Sequence, residues 1–302
     1  MRLPAGVAAL LMNATLVVAA PATQGPMLPH LGDPSGLELW VDQDNSSPTL
    51  RIVRPGQPES DRSILVLFPE HVTAVRHGES DARHLYRWQP GAGGDRPAWR
   101  RSGRSLEYDR DLDSVRFTAR ATLDADGVHI RYEFRNRSAT AYDMIYAVTD
   151  PRLTGLLRDE RLERTYVHYA QGLQLLAADT PGRLTMPEDR WLPARYLASY
   201  TWPVPDRRQE RRSDGITYYN TRRPVDQPFI ATVSSDSAWV VASVTRTTGN
   251  VWSNPELTCQ HVDPQTTLAA RAIAATEVKI LVVPGSLESV YRRARAQRDS
   301  LQ

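Results

Sequence analysis

The chain is nearly devoid of cysteine and lysine. Cys259 is its only cysteine and Lys279 its only lysine. A single thiol excludes an intramolecular disulfide and any zinc ribbon built on paired CxxC turns. With one lysine the positive charge is almost all guanidinium, and it balances to a formal net charge of +2 over 302 residues. Such a balance gives no overall drive toward nucleic acid, so none is expected as a partner. No GxGxxG or GxxxxGK[ST] tract is present, which removes the usual nucleotide folds. GxSxG and HExxH are missing too. No cofactor is therefore expected and no metal site is assigned. His261, Asp263 and Glu256 offer nitrogen and oxygen donors, but at an irregular spacing that argues weakly for metal-assisted hydrolysis.

Long apolar runs are also scarce. Arg2 followed by the apolar stretch Val7–Ala20 and by Ala20-Pro-Ala22 reads as a removed signal peptide over residues 1–22. That run falls short of the ~20 residues needed to span a bilayer, so no membrane span is expected. The mature protein is then secreted or periplasmic. Residues 23–35 read as a flexible leader rich in Pro and Gly, and 36–302 as a single domain.

What remains is β-rich. Leu37–Asp42 alternates apolar and polar, and Ile64–Phe68 is a continuous apolar run suited to a central strand. Gly78–Arg104 reads as a long irregular loop carrying His84, Trp88 and Trp99. Val115, Phe117, Ala119, Ala121 and Leu123 alternate with polar residues; Asp124-Ala-Asp-Gly127 turns the chain, and Val128, Ile130, Tyr132 and Phe134 resume the pattern as a hairpin. Asn136-Arg-Ser138 matches a glycosylation sequon and is taken as chance. Ala238–Thr245 and Glu277–Val283 are further strands, and Ser286 caps a closing helix over 286–300 with Leu287, Val290, Tyr291 and Ala294 on one stripe. Many short strands with one helix define an all-β protein, a large antiparallel β-sandwich.

Chemistry-bearing residues concentrate in TTGNVWSNPELTCQHVDP, residues 247–264. If this stretch is extended, positions 259, 261 and 263 share one face and 260 and 262 the other. Asp263 then sits where it can orient the His261 imidazole as a general acid, the alternative being that His261 satisfies backbone groups where the chain turns. Cys259 reads as a buried structural thiol or, with His261 beside it, as a nucleophile.

Four stretches together resemble the galactose-mutarotase-like β-supersandwich: the Asp113–Arg135 hairpin running through VRFTARATLDADGVHIRYEFRNRS, the strand Ala238–Thr245, the turn-rich 247–264 segment, and the strand Glu277–Pro284. The resemblance covers residues 36–284 and is architectural. It implies carbohydrate as the partner, and a histidine acid with a glutamate base on the concave sheet. His261 or His168 can fill the first role and Glu256 the second. Among aromatic and forked polar side chains, Trp202, Tyr200, Tyr218, Arg212, Trp252 and Asn254 are the candidate sugar contacts. The arginines of the Trp191–Arg223 region would favour anionic glycans through bidentate contacts. If catalytic, the protein is a sugar epimerase, glycoside hydrolase or polysaccharide lyase; the alternative is a non-catalytic envelope or cell-wall interaction protein.

Overall fold

The computed structural model describes residues 28–56, 63–94, 96–179, 193–202, 209–211 and 215–302. The expected signal peptide, Trp191 and Arg212 lie outside the described residues. The chain runs through β1 (His30–Gly32), β2 (Glu38–Val41), β3 (Thr49–Val53), β4 (Ser63–Arg76), β5 (Arg83–Arg87), β6 (Arg100–Ser102) and β7 (Ser105–Leu112). It continues through β8 (Val115–Asp124), β9 (Gly127–Asn136), β10 (Tyr142–Arg152), β11 (Thr165–Tyr169), β12 (Gly172–Leu175), β13 (Ala194–Ser199) and β14 (Gln209–Arg211). β15 (Thr217–Asn220), β16 (Phe229–Val233), β17 (Trp239–Thr245), β18 (Asn250–Ser253), β19 (Thr266–Leu268), β20 (Ile273–Pro284) and helix α1 (Leu287–Arg298) complete it.

These strands form three sheets. The first has the order β1-β2-β3-β4-β10-β19, with β5 also paired to β4; the second runs β12-β11-β16-β17-β20-β9-β8-β7-β6; the third is β14-β15-β13-β18. All pairings are antiparallel except β13 with β15. The fold is the expected all-β sandwich with a C-terminal helix.

The predicted hairpin is β8 and β9, with Asp124 paired to Gly127. Val115, Phe117, Ala119, Ala121 and Leu123 are buried on one face, as the alternation requires. Between the first two sheets lies a ring cluster. Phe68 meets Tyr108 edge-on at 5.8 Å and Tyr132 at 5.5 Å, and Phe117 stacks on Tyr132 at 5.6 Å. The buried hydroxyls are satisfied across the layers, Tyr108 donating to the Phe68 carbonyl at 2.5 Å and Tyr132 lying 3.0 Å from Thr149 Oγ1. Helix α1 covers the opposite face of β16, β17 and β20 with Val290, Tyr291 and Ala294. Strand β20 is thus sandwiched on both faces, which suits the apolar side chains that fill Val278–Val283 at every position but one. Lys279 is the exception in that run. It is 4% exposed, and its ammonium lies 2.6 Å from Asp124 and 2.9 Å from Asp126 at the hairpin turn.

Three expectations change. The apolar run ending at Phe68 continues as a 14-residue strand to Arg76. Pro69 is tolerated because it sits where the edge of β4 passes from β3, paired through Leu67, to β5, paired from His71. The 78–104 loop contains β5 and β6, whose mostly exposed residues carry no apolar alternation and are held by backbone pairing. His30–Gly32 of the expected leader pairs with β2 because Leu31 is buried. The sequon residue Asn136 is 2% exposed, and its amide nitrogen donates to Thr140 O and Ala269 O.

Candidate functional site

A cleft of about 360 Å³ opens where the third sheet meets the second half of β4 and the middle of β10. Its lining follows strand periodicity. Arg195, Leu197 and Ser199 come from β13, Tyr218 and Asn220 from β15, Asn250 and Trp252 from β18, Tyr146 and Val148 from β10, and His71 from β4. Each set is spaced by two, so each strand turns one face to the cleft. Trp202, Thr248, Gly249, Asp263 and Gln265 close the ends. Trp202 is 44% exposed and lies flat on Gly249. A Cβ at Gly249 would sit 2.2 Å from Trp202 Cε2, so the indole holds its place only over a glycine.

Beneath Trp252 lies His261. The two rings stack with centroids 3.7 Å apart and planes within 3°. The strand β18 and the 259–263 segment are joined there by an isolated bridge, Trp252 to His261. The expected alternation holds: His261 Nε2 is 3.1 Å from Cys259 Sγ, and Nδ1 is 3.4 Å from Asp263 Oδ2. Gln260 points the other way, donating to Thr232 Oγ1 and Val241 O and accepting from Ser243, each at 3.0 Å. Asp150 of β10 joins from the opposite side, Oδ1 lying 3.5 Å from His261 Nε2.

Burial sets the protonation of this group. It opposes charge on His261, but the Cys259 sulfur and the Asp150 and Asp263 carboxyls overcome it and hold the imidazole well above its ordinary value. Burial pushes the Cys259 thiol up and the Asp263 carboxyl up. It would raise Asp150 as well, yet the adjacent charge of His261 and the charge and hydrogen bond of Arg152 leave that carboxyl below its usual range. Glu70 is raised by burial and by the charge of Asp150. His71 is driven down to about 3 by burial and by the neighbouring His84, with Thr73 Oγ1 standing 2.8 Å from Nδ1 of both rings. At neutral pH the cleft therefore presents a neutral imidazole at His71.

The expected site residues divide. Trp202, Tyr218, Trp252 and Asp263 line the cleft. His261 is 1% exposed, sealed by Trp252. Glu256 is drawn away from it by an ion pair with Arg195, whose guanidinium lies 5.6 Å above the Trp252 ring. His168 belongs to the other side of the molecule: it stacks on Tyr291 of α1 at 4.4 Å and contacts Asp226 at 2.5 Å. Tyr200 gives its hydroxyl to Arg298 as acceptor at 3.1 Å, and Asn254 is a buried turn residue accepting from the Leu257 N–H at 2.8 Å. Reading the sequence missed His71, Asp150, Arg195, Asn220, Asn250 and Gln265. Only the spacing of Arg195, Leu197 and Ser199 carried a local sign of a shared face.

No protein-family model matches the chain, and no curated protein matches it. Solved structures do. The Slr1438 protein of Synechocystis sp. PCC 6803 is similar at a TM-score of 0.51 and 12% identity, over 87% of this chain and 97% of that one. A galactose mutarotase-like protein from Lactobacillus casei ATCC 334 follows at 0.48 and 9%, over 85% and 100%. A galactose mutarotase related enzyme from Lactobacillus acidophilus stands at 0.46 and 9%, over 86% and 99%. At these identities the likeness is one of fold alone.

Proposed function

We propose that this chain is an exported carbohydrate-binding or carbohydrate-processing protein, secreted or periplasmic, whose sugar site is the cleft under Trp202 and Trp252. The observation that carries the reading is the cleft's composition. The Trp202 indole offers an apolar face to the C–H side of a pyranose, while Asn220, Asn250 and Gln265 supply amides for its hydroxyls. Arg195 lines the same cleft and suits a uronate or sulfate, which supports a preference for acidic glycans. For processing, Asp263, which lines the cleft and whose carboxyl is raised by burial, would serve as the acid.

A glycan array read beside thermal melts tests this. Acidic oligosaccharides should bind more tightly than neutral ones and lose affinity as salt rises. Trp202→Ala should weaken binding about tenfold with an unchanged melting temperature, since one stacked ring contributes about 1–1.5 kcal/mol. An array without signal would overturn the reading; equal binding of neutral and acidic glycans would remove its anionic part.

One observation favours a non-catalytic envelope or cell-wall role: His261, the imidazole grouped with Asp150, Cys259 and Asp263, has no face open to the cleft. Glycan binding with no turnover of any bound sugar would select that reading.

A further inference from the structure

The buried cluster beneath Trp252 has a donor set that the sugar site does not use. We propose that Asp150, Cys259 and His261 form a structural binding site for a divalent transition metal, with zinc the ion its donors suit best. One donor atom from each residue lies within 4.8 Å of the other two, and all three residues are 1% exposed. Hydrogen bonding accounts poorly for the arrangement. His261 Nε2 faces both Cys259 Sγ at 3.1 Å and Asp150 Oδ1 at 3.5 Å, so one N–H serves two acceptors. Asp150 Oδ1 accepts no hydrogen bond, although the other carboxylate oxygen takes one from Arg152 at 2.7 Å. A fully buried, unsatisfied carboxylate oxygen aimed at a sulfur and an imidazole nitrogen is costly in an apo protein. As a ligand set it is ordinary, because thiolate, imidazole and carboxylate are the donors zinc takes from proteins, and three protein donors leave the fourth tetrahedral position to a water.

The charge balance fits. On binding, the Cys259 thiol and the His261 imidazolium each release a proton to water, so that the ring coordinates as neutral imidazole, and Asp150 enters as carboxylate. Two negative donors then neutralise a doubly charged ion in a site closed to solvent. Asp263, 3.4 Å from His261 Nδ1, is placed to accept from the ring's other nitrogen and fix its tautomer, as outer partners of metal-bound histidines do. The ion would also have a mechanical role. The ladder between β4 and β10 is irregular between Val148 and Asp150, and the 259–261 segment pairs with β10 through the isolated bridge Arg152 to Cys259. A metal would cross-link these two segments directly under the floor of the cleft.

The full chain, purified without chelator and also refolded in excess zinc or cobalt, tests the proposal. Elemental analysis should find one metal per chain. The cobalt form should show a thiolate-to-cobalt charge-transfer band, which Cys259→Ser abolishes. The zinc form should melt about 5 °C or more above metal-free protein. Asp150→Asn, which preserves shape, should cut zinc affinity at least tenfold in a competition titration with a chromophoric chelator. Folded protein that takes up no metal by either route would overturn the site. So would a cobalt band that persists in Cys259→Ser, or stoichiometric metal retained with unchanged affinity in both variants.

Discussion

Glycine at two positions shows how unequal the same substitution can be. Gly56 has φ +73° and nothing within 4 Å of where a Cβ would stand, so Gly56→Ala meets only backbone strain, about 1 kcal/mol. Gly127 has φ +147°, and a Cβ there would stand 2.0 Å from the Ile280 carbonyl oxygen, inside the β9–β20 ladder. Gly127→Ala should cost about 3 kcal/mol or more, by strain together with collision; urea melts of the two variants measure the difference. His71 gives a pH prediction. Its folded pKa is held at about 3 by burial and His84, below the ordinary 6.5. Above pH 6.5 both folded and unfolded chains leave it neutral, and nothing is lost. As pH falls from 6.5 toward 3 the unfolded chain takes up a proton that the folded one refuses, so stability declines by up to about 1.4 kcal/mol per unit. His71→Gln should flatten that part of the stability curve. Parallel curves for the two proteins would show that His71 does not refuse the proton.

At the scale of elements, α1 and the hairpin were legible, and the 259–263 face was too, because each rests on local period. Helix α1 spans Leu287–Arg298, and Ser286 caps it by accepting from the Ser289 N–H at 3.3 Å. Ser286→Ala should cost about 1 kcal/mol. Tyr291→Ala should cost about 3 kcal/mol, since that ring packs on both Phe229 and His168. Neither should alter glycan affinity, and calorimetry with binding assays on both variants checks this. The rest of the site was not legible because distant strands assemble it. Thr149, next to Asp150, donates its N–H to Asp263 across 114 residues of sequence. Arg195, 61 residues before Glu256, takes that carboxylate from the role the local spacing suggested. No window around His261 contains either partner, and only sheet pairing brings them together.

The whole molecule is held by a core shared between the first two sheets, with a second apolar layer under α1. β20 lies at the centre of this arrangement, paired with β17 on one side and β9 on the other. Removing it opens the nine-stranded sheet and uncovers both layers, so its release should coincide with global unfolding. Hydrogen exchange should place β20 amides among the slowest in the chain. Exchange as fast as in β5, an exposed edge strand, would contradict this.

The solitary lysine turns that placement into a tool. Lys279 is the chain's only side-chain amine, and it is clasped by two aspartates within β20. A lysine-specific protease has one cleavage point and cannot reach it in the folded protein. Its cut should appear only in step with denaturation, yielding two fragments whose amounts count unfolded molecules. Amine-reactive dyes and coupling resins will likewise find only the α-amino group, so every tethered copy will be attached through the same end.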